Sequence, residues 1–335
     1  MILVTGGTGL VGAHLLFKLV NTNQNVRAIY RNERKFGNVK SVFSCYTNDV
    51  ETLFNKIDWV EADILDIPAL SEAFKGVTKV YHCAAFVSFE PDKYGVLKKT
   101  NVEGTANIVN LALQHQIEKL CYVSSIATLG DELNNKPITE ATIYNPESDN
   151  SVYAITKYGG EMEVWRATQE GLNAVIVNPG LILGPGIWRY GTGNFFKRAQ
   201  KGIAYYTSGT VGLVFVNDVV TVMLQLMEST ITNERFVLVA ENWRYKNFLQ
   251  ALATSVNGKL PEKMAKPWLL NLAWRFDWFL SKITGKRRQL TKHLVVSLTT
   301  DTFYESDKIK KALDFKFTSI DETIAKIGAI YLKQD

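Results

Sequence analysis

Tyr153 and Lys157 stand four residues apart in YAITK, so a helix would carry the phenol and the ammonium on one face. That pairing suits proton transfer. When a hydride passes between C4 of a nicotinamide and a carbinol carbon, a proton travels the opposite way, and some group must give or take it near neutral pH. Free tyrosine titrates at about 10, roughly three units too high, a gap of about 4 kcal/mol. A Lys157 ammonium beside the phenol, helped by an oxidised nicotinamide, would favour the phenolate and could also hold the nicotinamide ribose. Upstream, CYVSSIATLG offers Ser124 and Ser125, either of which could hydrogen-bond a substrate oxygen and stabilise charge developing on it. The spacing alone is weak, because Tyr94 with Lys98 and Tyr304 with Lys308 share it. Position separates the pairs: YAITK lies between two apolar, β-branched runs, which puts Tyr153 near the carboxyl edge of a sheet, where open α/β folds bind ligands.

A second constellation opens the chain. ILVTGGTGLVG spaces Gly6, Gly9 and Gly12 by three residues between a buried strand and an amphipathic helix. Glycines there allow a sharp turn, close approach of the backbone to a pyrophosphate, and tight helix packing, while the helix N-terminus attracts the anion. Gly7, Gly9 and Gly12 also fit GxGxxG, so the register is open. The expected cradle is Gly6, Thr8, Gly9, Leu10, Val11 and Gly12. The second strand ends at Arg31, 19 residues beyond Gly12, followed by Arg34 and Lys35 with no acid at the tip. A basic residue there receives a 2′-phosphate, so NADP(H) is favoured over NAD(H); the alternative is a solvated strand-edge charge. Asp63 could accept from the adenine amino group, with Ile64 beside it, or could cap the next helix.

These residues require a scaffold. Apolar runs at Ile2 to Thr5, Asn25 to Tyr30, Asp58 to Ala62, Lys79 to Ala84, Lys119 to Ser124 and Ala174 to Asn178 read as strands. They alternate with helical patterns at Leu10 to Asn21, Ile67 to Phe74, Gly95 to His115 and Val152 to Glu170. This predicts an α/β fold, a Rossmann-type doubly wound parallel sheet over residues 1–180 with further core elements near 213–240. Residues 181–335 are expected to form a smaller, mostly helical substrate lobe, with helices at Val216 to Glu228, Trp243 to Val256, Trp268 to Ile283 and Ile320 to Leu332.

Composition narrows the classes. The 335 residues are 46% hydrophobic and 21% charged, ordinary for a globular protein. No apolar run reaches the length of a membrane span, and the chain enters a strand at once without a leader, so a cytoplasmic location is expected. Cys45, Cys83 and Cys121 form no CxxC pair, and His14, His82, His115 and His293 have no metal-ligand spacing, so neither disulfides nor metal are expected. Cys83 and Cys121 read as small buried residues. No GxSxG elbow supports a hydrolase. The net charge of +5 is concentrated: Lys263 to His293 holds eight Lys or Arg, including Lys286 and Arg287, against Asp277 alone. This marks one surface and is not a nucleic-acid signature.

As a set, TGGTGLVG, Asp63, HCAA, Asn101 in TNVEGT, VSS, YAITK and NPGLILGPG resemble the extended short-chain dehydrogenase/reductases over about the first 220 residues. Within that superfamily the chain looks most like the dihydroflavonol-reductase and 3β-hydroxysteroid-dehydrogenase branch. The resemblance implies Ser125, Tyr153 and Lys157 as catalytic residues, Ser125 being preferred because Gly130 follows five residues later. It implies that Cys83, Ala84 and Ala85, with His82, line the pyrophosphate side, that Asn101 belongs to the site and that Pro179 meets the nicotinamide. A homodimer through the helix after Gly95 and the Tyr153 helix is also implied. Ile126 and Ala127 stand where nucleotide-sugar dehydratases carry an acidic pair, and the aromatic signature of cinnamoyl-CoA reductases is missing.

The expected function is an NADP(H)-preferring oxidoreductase interconverting a carbonyl and a secondary alcohol on a hydrophobic or ring-bearing small molecule. The alternatives are an NAD-retaining nucleotide-sugar epimerase and a non-catalytic dinucleotide sensor. PWLLNLAWRFDWFLSKITGKRR admits three readings: a packing helix, which is favoured, a lid over an apolar substrate, or an interfacial helix on a membrane surface.

Overall fold

The computed structural model describes residues 1–132, 136–285, 288 and 290–333; Lys286 and Arg287 of the basic run lie outside the described residues. Seven parallel strands make the central sheet: β1 (Ile2–Thr5), β2 (Val26–Tyr30), β3 (Asp58–Glu61), β4 (Lys79–His82), β5 (Lys119–Val123), β6 (Ala174–Pro179) and β7 (Glu234–Leu238). Their spatial order is β7, β6, β5, β4, β1, β2, β3. Side chains alternate between the faces, as the pleat requires. Leu3, Val80, Leu120 and Ile176 pack on one face with Ile108 and Val109 of α2 (Gly104–Gln114) and Val164 and Ala167 of α3 (Val152–Gln169). Val4, Tyr81, Cys121 and Val175 face α1 (Leu10–Asn21) and α4 (Val216–Glu228) on the other. Apolar faces on both sides account for strands that read as continuous hydrophobic runs.

The seventh strand was not among the six expected; ERFVL returns to the sheet beside β6 after the excursion that begins at Gly180. A second sheet joins Leu181–Leu183, Thr210–Phe215 and Glu241–Arg244, and packs Leu213 and Phe215 against Phe248, Leu252 and Ile324, the last from α6 (Ile320–Leu332). Trp243, expected to start a helix, lies in that sheet instead. Its register opposite Val211 gives the backbone strand partners, and the helix begins at Tyr245.

The long helix expected from Gly95 to His115 is interrupted by a π-helical turn at Lys99–Glu103. The interruption is local to Asn101, whose side chain is drawn into the loop after β4. Helix α5 (Pro267–Thr284) packs one face through Leu270 and Trp274 against Val295 and Leu290, while most of its large apolar side chains are exposed.

Candidate active site

The strand order reverses between β1 and β4, and the crevice at their carboxyl ends is where doubly wound sheets bind ligands. A cavity of about 2340 Å³ runs from that crevice into the second lobe. It exceeds the roughly 1,000 Å³ of a large single-ligand pocket, leaving room for a dinucleotide and a second molecule. Gly6, Thr8, Gly9, Leu10, Val11, Gly12, Arg31, Asp63, Ile64, Cys83, Ala84, Ala85, Ser125, Tyr153, Lys157 and Pro179 all line it.

The glycine turn fits a dinucleotide. Gly6 has φ +69°, and a Cβ there would lie 2.6 Å from the Ala84 nitrogen; a Cβ on Gly12 would lie 2.3 Å from the Gly6 oxygen. Side chains are therefore excluded from the turn itself, and Gly6, not Gly7, takes the left-handed backbone. Gly9 precedes α1 in extended backbone, and among the described residues no side chain caps it and no acid occupies the first turn. Its free N–H groups and dipole suit an anion.

Behind this wall, the Ala84 amide donates to Thr5 Oγ1 at 3.2 Å, and His82 bridges Thr5 and Thr105 at 2.6 and 3.0 Å. Burial pushes His82 down to about 3, so it is a neutral strut. Burial likewise pushes the Cys83 thiol up to about 12, which makes it a poor nucleophile. His82 stands behind the cavity wall and does not line it, and neither does Asn101. Its amide nitrogen donates to Phe86 O and Thr156 Oγ1, and its oxygen accepts from the Phe86 amide at 2.8 Å. It fixes the loop after β4 and holds it against α3.

At the edge of the groove Arg31 Nη1 lies 3.4 Å from Asp63 Oδ2. Both side chains are more than a third exposed, and a pair so solvated is worth about 0–1 kcal/mol, little enough for a ligand to part them. Asp63 Oδ1 also accepts from the Leu65 amide, whereas Asp66 caps the next helix.

Ser151 caps α3 by accepting from the Ala154 amide, which sets Tyr153 in the first turn and Lys157 in the second. The two serines separate cleanly. Both border the cavity, but Ser124 is buried and donates to Glu161 Oε2 at 2.6 Å, whereas Ser125 is within hydrogen-bonding reach of the Tyr153 phenol. Burial raises the pKa of Tyr153, and Ser125 opposes that rise. The expectation that Lys157 acidifies this phenol is corrected. Lys157, 1% exposed, donates instead to Tyr122 Oη at 2.8 Å and to Val123 O at 2.9 Å, and burial lowers it to about 7. Sharing a helical face was not enough, because the long side chain reaches past Tyr153 to the end of β5.

A polar cluster beneath the site escaped the sequence. The Glu161 carboxylate accepts from Ser124, Thr128 and Asn178 at 2.6 to 2.9 Å and from Arg235 of β7 at 3.1 Å. Asn178 also donates to the Ser125 carbonyl at 3.2 Å. The cluster thereby anchors the backbone that presents Ser125. Glu161 stands four residues after Lys157, a spacing that could have flagged it, but Arg235 sits on the unexpected strand.

Among the described residues no group of three His, Cys, Asp or Glu is placed to hold a metal ion, and no helix is long and apolar enough to cross a membrane.

Comparison with known proteins is consistent with this geometry. The chain is 29% identical over 329 residues to a Synechocystis sp. protein provisionally named dihydroflavonol 4-reductase, covering 96% of this chain and 92% of that one. It is 27% identical over 273 residues to sterol demethylase protein B of Methylococcus capsulatus, covering 80% and 78%. The crystal structure of gox2253 superposes with TM-score 0.81 at 25% identity, covering 100% of this chain and 98% of that one. The family model of the NAD dependent epimerase/dehydratase family matches residues 2–239. The protein is thus an NAD(P)-dependent enzyme acting on CH–OH or carbonyl groups, and it belongs to the NAD dependent epimerase/dehydratase family within the extended short-chain dehydrogenase/reductases.

Proposed function

We propose that the protein is an NADP(H)-preferring reductase that converts a carbonyl on a hydrophobic or ring-bearing small molecule into a secondary alcohol. The observation that carries this reading is the Ser125–Tyr153 pair at the cavity wall, with the phenol kept protonated by burial. A phenol that holds its proton at neutral pH is an acid in waiting, which is the role carbonyl reduction requires. The bound dinucleotide supplies the hydride. Ser125 and Tyr153 hydrogen-bond the carbonyl oxygen, orient it, and stabilise the negative charge that develops there; Tyr153 Oη then delivers the proton. Lys157 spends two of its three N–H donors on Tyr122 and Val123, leaving a third for a ribose hydroxyl. Arg31, paired with Asp63 only at the solvated edge of the groove, would be placed to receive a 2′-phosphate, and this is the basis of the proposed NADP(H) preference.

The substrate end of the cavity carries Phe195, Phe276, Leu280, Leu294 and Leu298, an apolar wall suited to rings. Relatives named for dihydroflavonol, sterol and tetraketide pyrone chemistry support the same class. The test is a panel of sterol, flavonoid and short-chain ketones followed by NADPH absorbance. Turnover with ring-bearing ketones is expected. A protein that instead retains NAD through purification and epimerises a nucleotide sugar without added cofactor contradicts the proposal. For cofactor choice, Arg31→Asp is expected to weaken NADPH binding at least about tenfold more than NADH binding, the cost of one charge-assisted phosphate contact. Equal losses in paired fluorescence titrations would remove Arg31 from that role.

A further inference from the structure

We propose that the outer face of α5 docks the protein on an anionic lipid surface. At 100° per residue, Trp268, Leu272, Phe279 and Ile283 fall within an arc of about 60° on this helix. All four are exposed, Trp268 at 64% and Ile283 at 67%, and none lines the cavity. A contiguous strip of this kind on a soluble domain marks an interaction site.

Its flanks identify the partner. On one side lie Arg275 and Lys282, with Lys263 and Lys266 at the helix start, all exposed. Lys282 has Asp92 at 3.9 Å. The helix's own acid, Asp277, is turned inward, where its carboxylate accepts from the Leu290 amide at 3.1 Å. An apolar strip holding tryptophan and phenylalanine, bordered by cations, has the make-up of a helix lying in the headgroup layer of an anionic membrane. A second copy of this chain fits poorly, because face-to-face pairing would oppose Arg275 and Lys282 with cations of the same kind. Spanning is excluded for this helix by its charges and hydropathy.

The other edge of the strip connects the surface to the site. Phe276 and Leu280 are exposed and also line the cavity, so docking would set its mouth against the bilayer. This last consequence, delivery of a lipid-dissolved substrate, rests on the proposed function; the docking itself does not.

The test is co-sedimentation of the full chain with vesicles of phosphatidylcholine and phosphatidylglycerol in equal parts, against phosphatidylcholine alone. Binding to the mixed vesicles is expected to be at least about fivefold tighter and to weaken as salt is raised. Leu272→Ser with Phe279→Ser should reduce it by about tenfold or more, as the loss of two buried apolar side chains implies. Arg275→Glu with Lys282→Glu should remove the preference for anionic lipid, and both variants should keep the wild-type circular dichroism and melting temperature. Absence of binding, or binding unchanged in either variant, overturns the proposal. Concentration-dependent self-association in lipid-free buffer that disappears in Leu272→Ser/Phe279→Ser would assign the face to a second copy and also overturn it. Since sedimentation needs no turnover, a catalytically inert preparation that still binds would separate failure of the proposed function from failure of this inference.

Discussion

At Tyr153 two effects oppose each other: burial holds the proton on the phenol, and the Ser125 hydroxyl eases its release. Ser125→Ala should therefore lower kcat by roughly 10²-fold or more, the scale of removing one donor to a developing oxyanion. Ser124→Ala should instead act on stability, since it withdraws one of the donors to buried Glu161; steady-state kinetics and thermal melts on both variants distinguish the two. Lys157 has a separate signature. Its pKa of about 7 in the folded protein lies below the ordinary 10.5, so between those values the unfolded chain binds the extra proton and stability rises with pH. Lys157→Met should flatten that rise in urea titrations from pH 7 to 10, and an unchanged slope would show that Lys157 keeps its proton in the folded protein through that range. The residue types at this site were legible in the sequence because hydride chemistry needs them. The partner of Lys157 was not, because rotamer reach depends on where β5 ends.

At the scale of elements, the strands with continuous apolar runs and the helices with clear periodicity could be read to within a residue or two. α1, α4 and α6 match the sequence reading at both ends. The π turn at Lys99–Glu103 has no local pattern; it follows from Asn101 bonding to a loop fifteen positions earlier. The ion pair between Glu161 and Arg235 joins α3 to β7 and was equally invisible, since its members lie 74 positions apart. Arg235→Met should destabilise the protein by about 3–5 kcal/mol, because it leaves a buried carboxylate without its cation. Replacing both partners with apolar residues should cost less. Chemical denaturation of the single and double variants measures the difference.

Over the whole molecule, the chain leaves the first sheet after β6 and returns to it at β7, so the nucleotide-binding and substrate elements share one core. Residues 1–180 alone would lack both α4 and β7 and expose Cys121, Val175 and Val177, so that fragment is expected not to unfold cooperatively. The sequence placed core elements near 213–240 but not their strand, because ERFVL is short and interrupted by a charge. The homodimer implied by the resemblance, through the helix after Gly95 and α3, would draw on Val96 and Ile155, which are exposed on the Tyr94–Lys98 helix and on α3. Ile155→Asp should shift sedimentation toward monomer. The decisive measurement joins all scales: single-turnover NADPH oxidation with a ketone from the panel, by wild type and Tyr153→Phe, with dinucleotide affinity titrated in parallel. A fall of about 10²- to 10⁴-fold in the hydride-transfer rate at nearly constant affinity is the predicted result. A rate that survives loss of the phenolic hydroxyl would contradict Tyr153 as the proton donor.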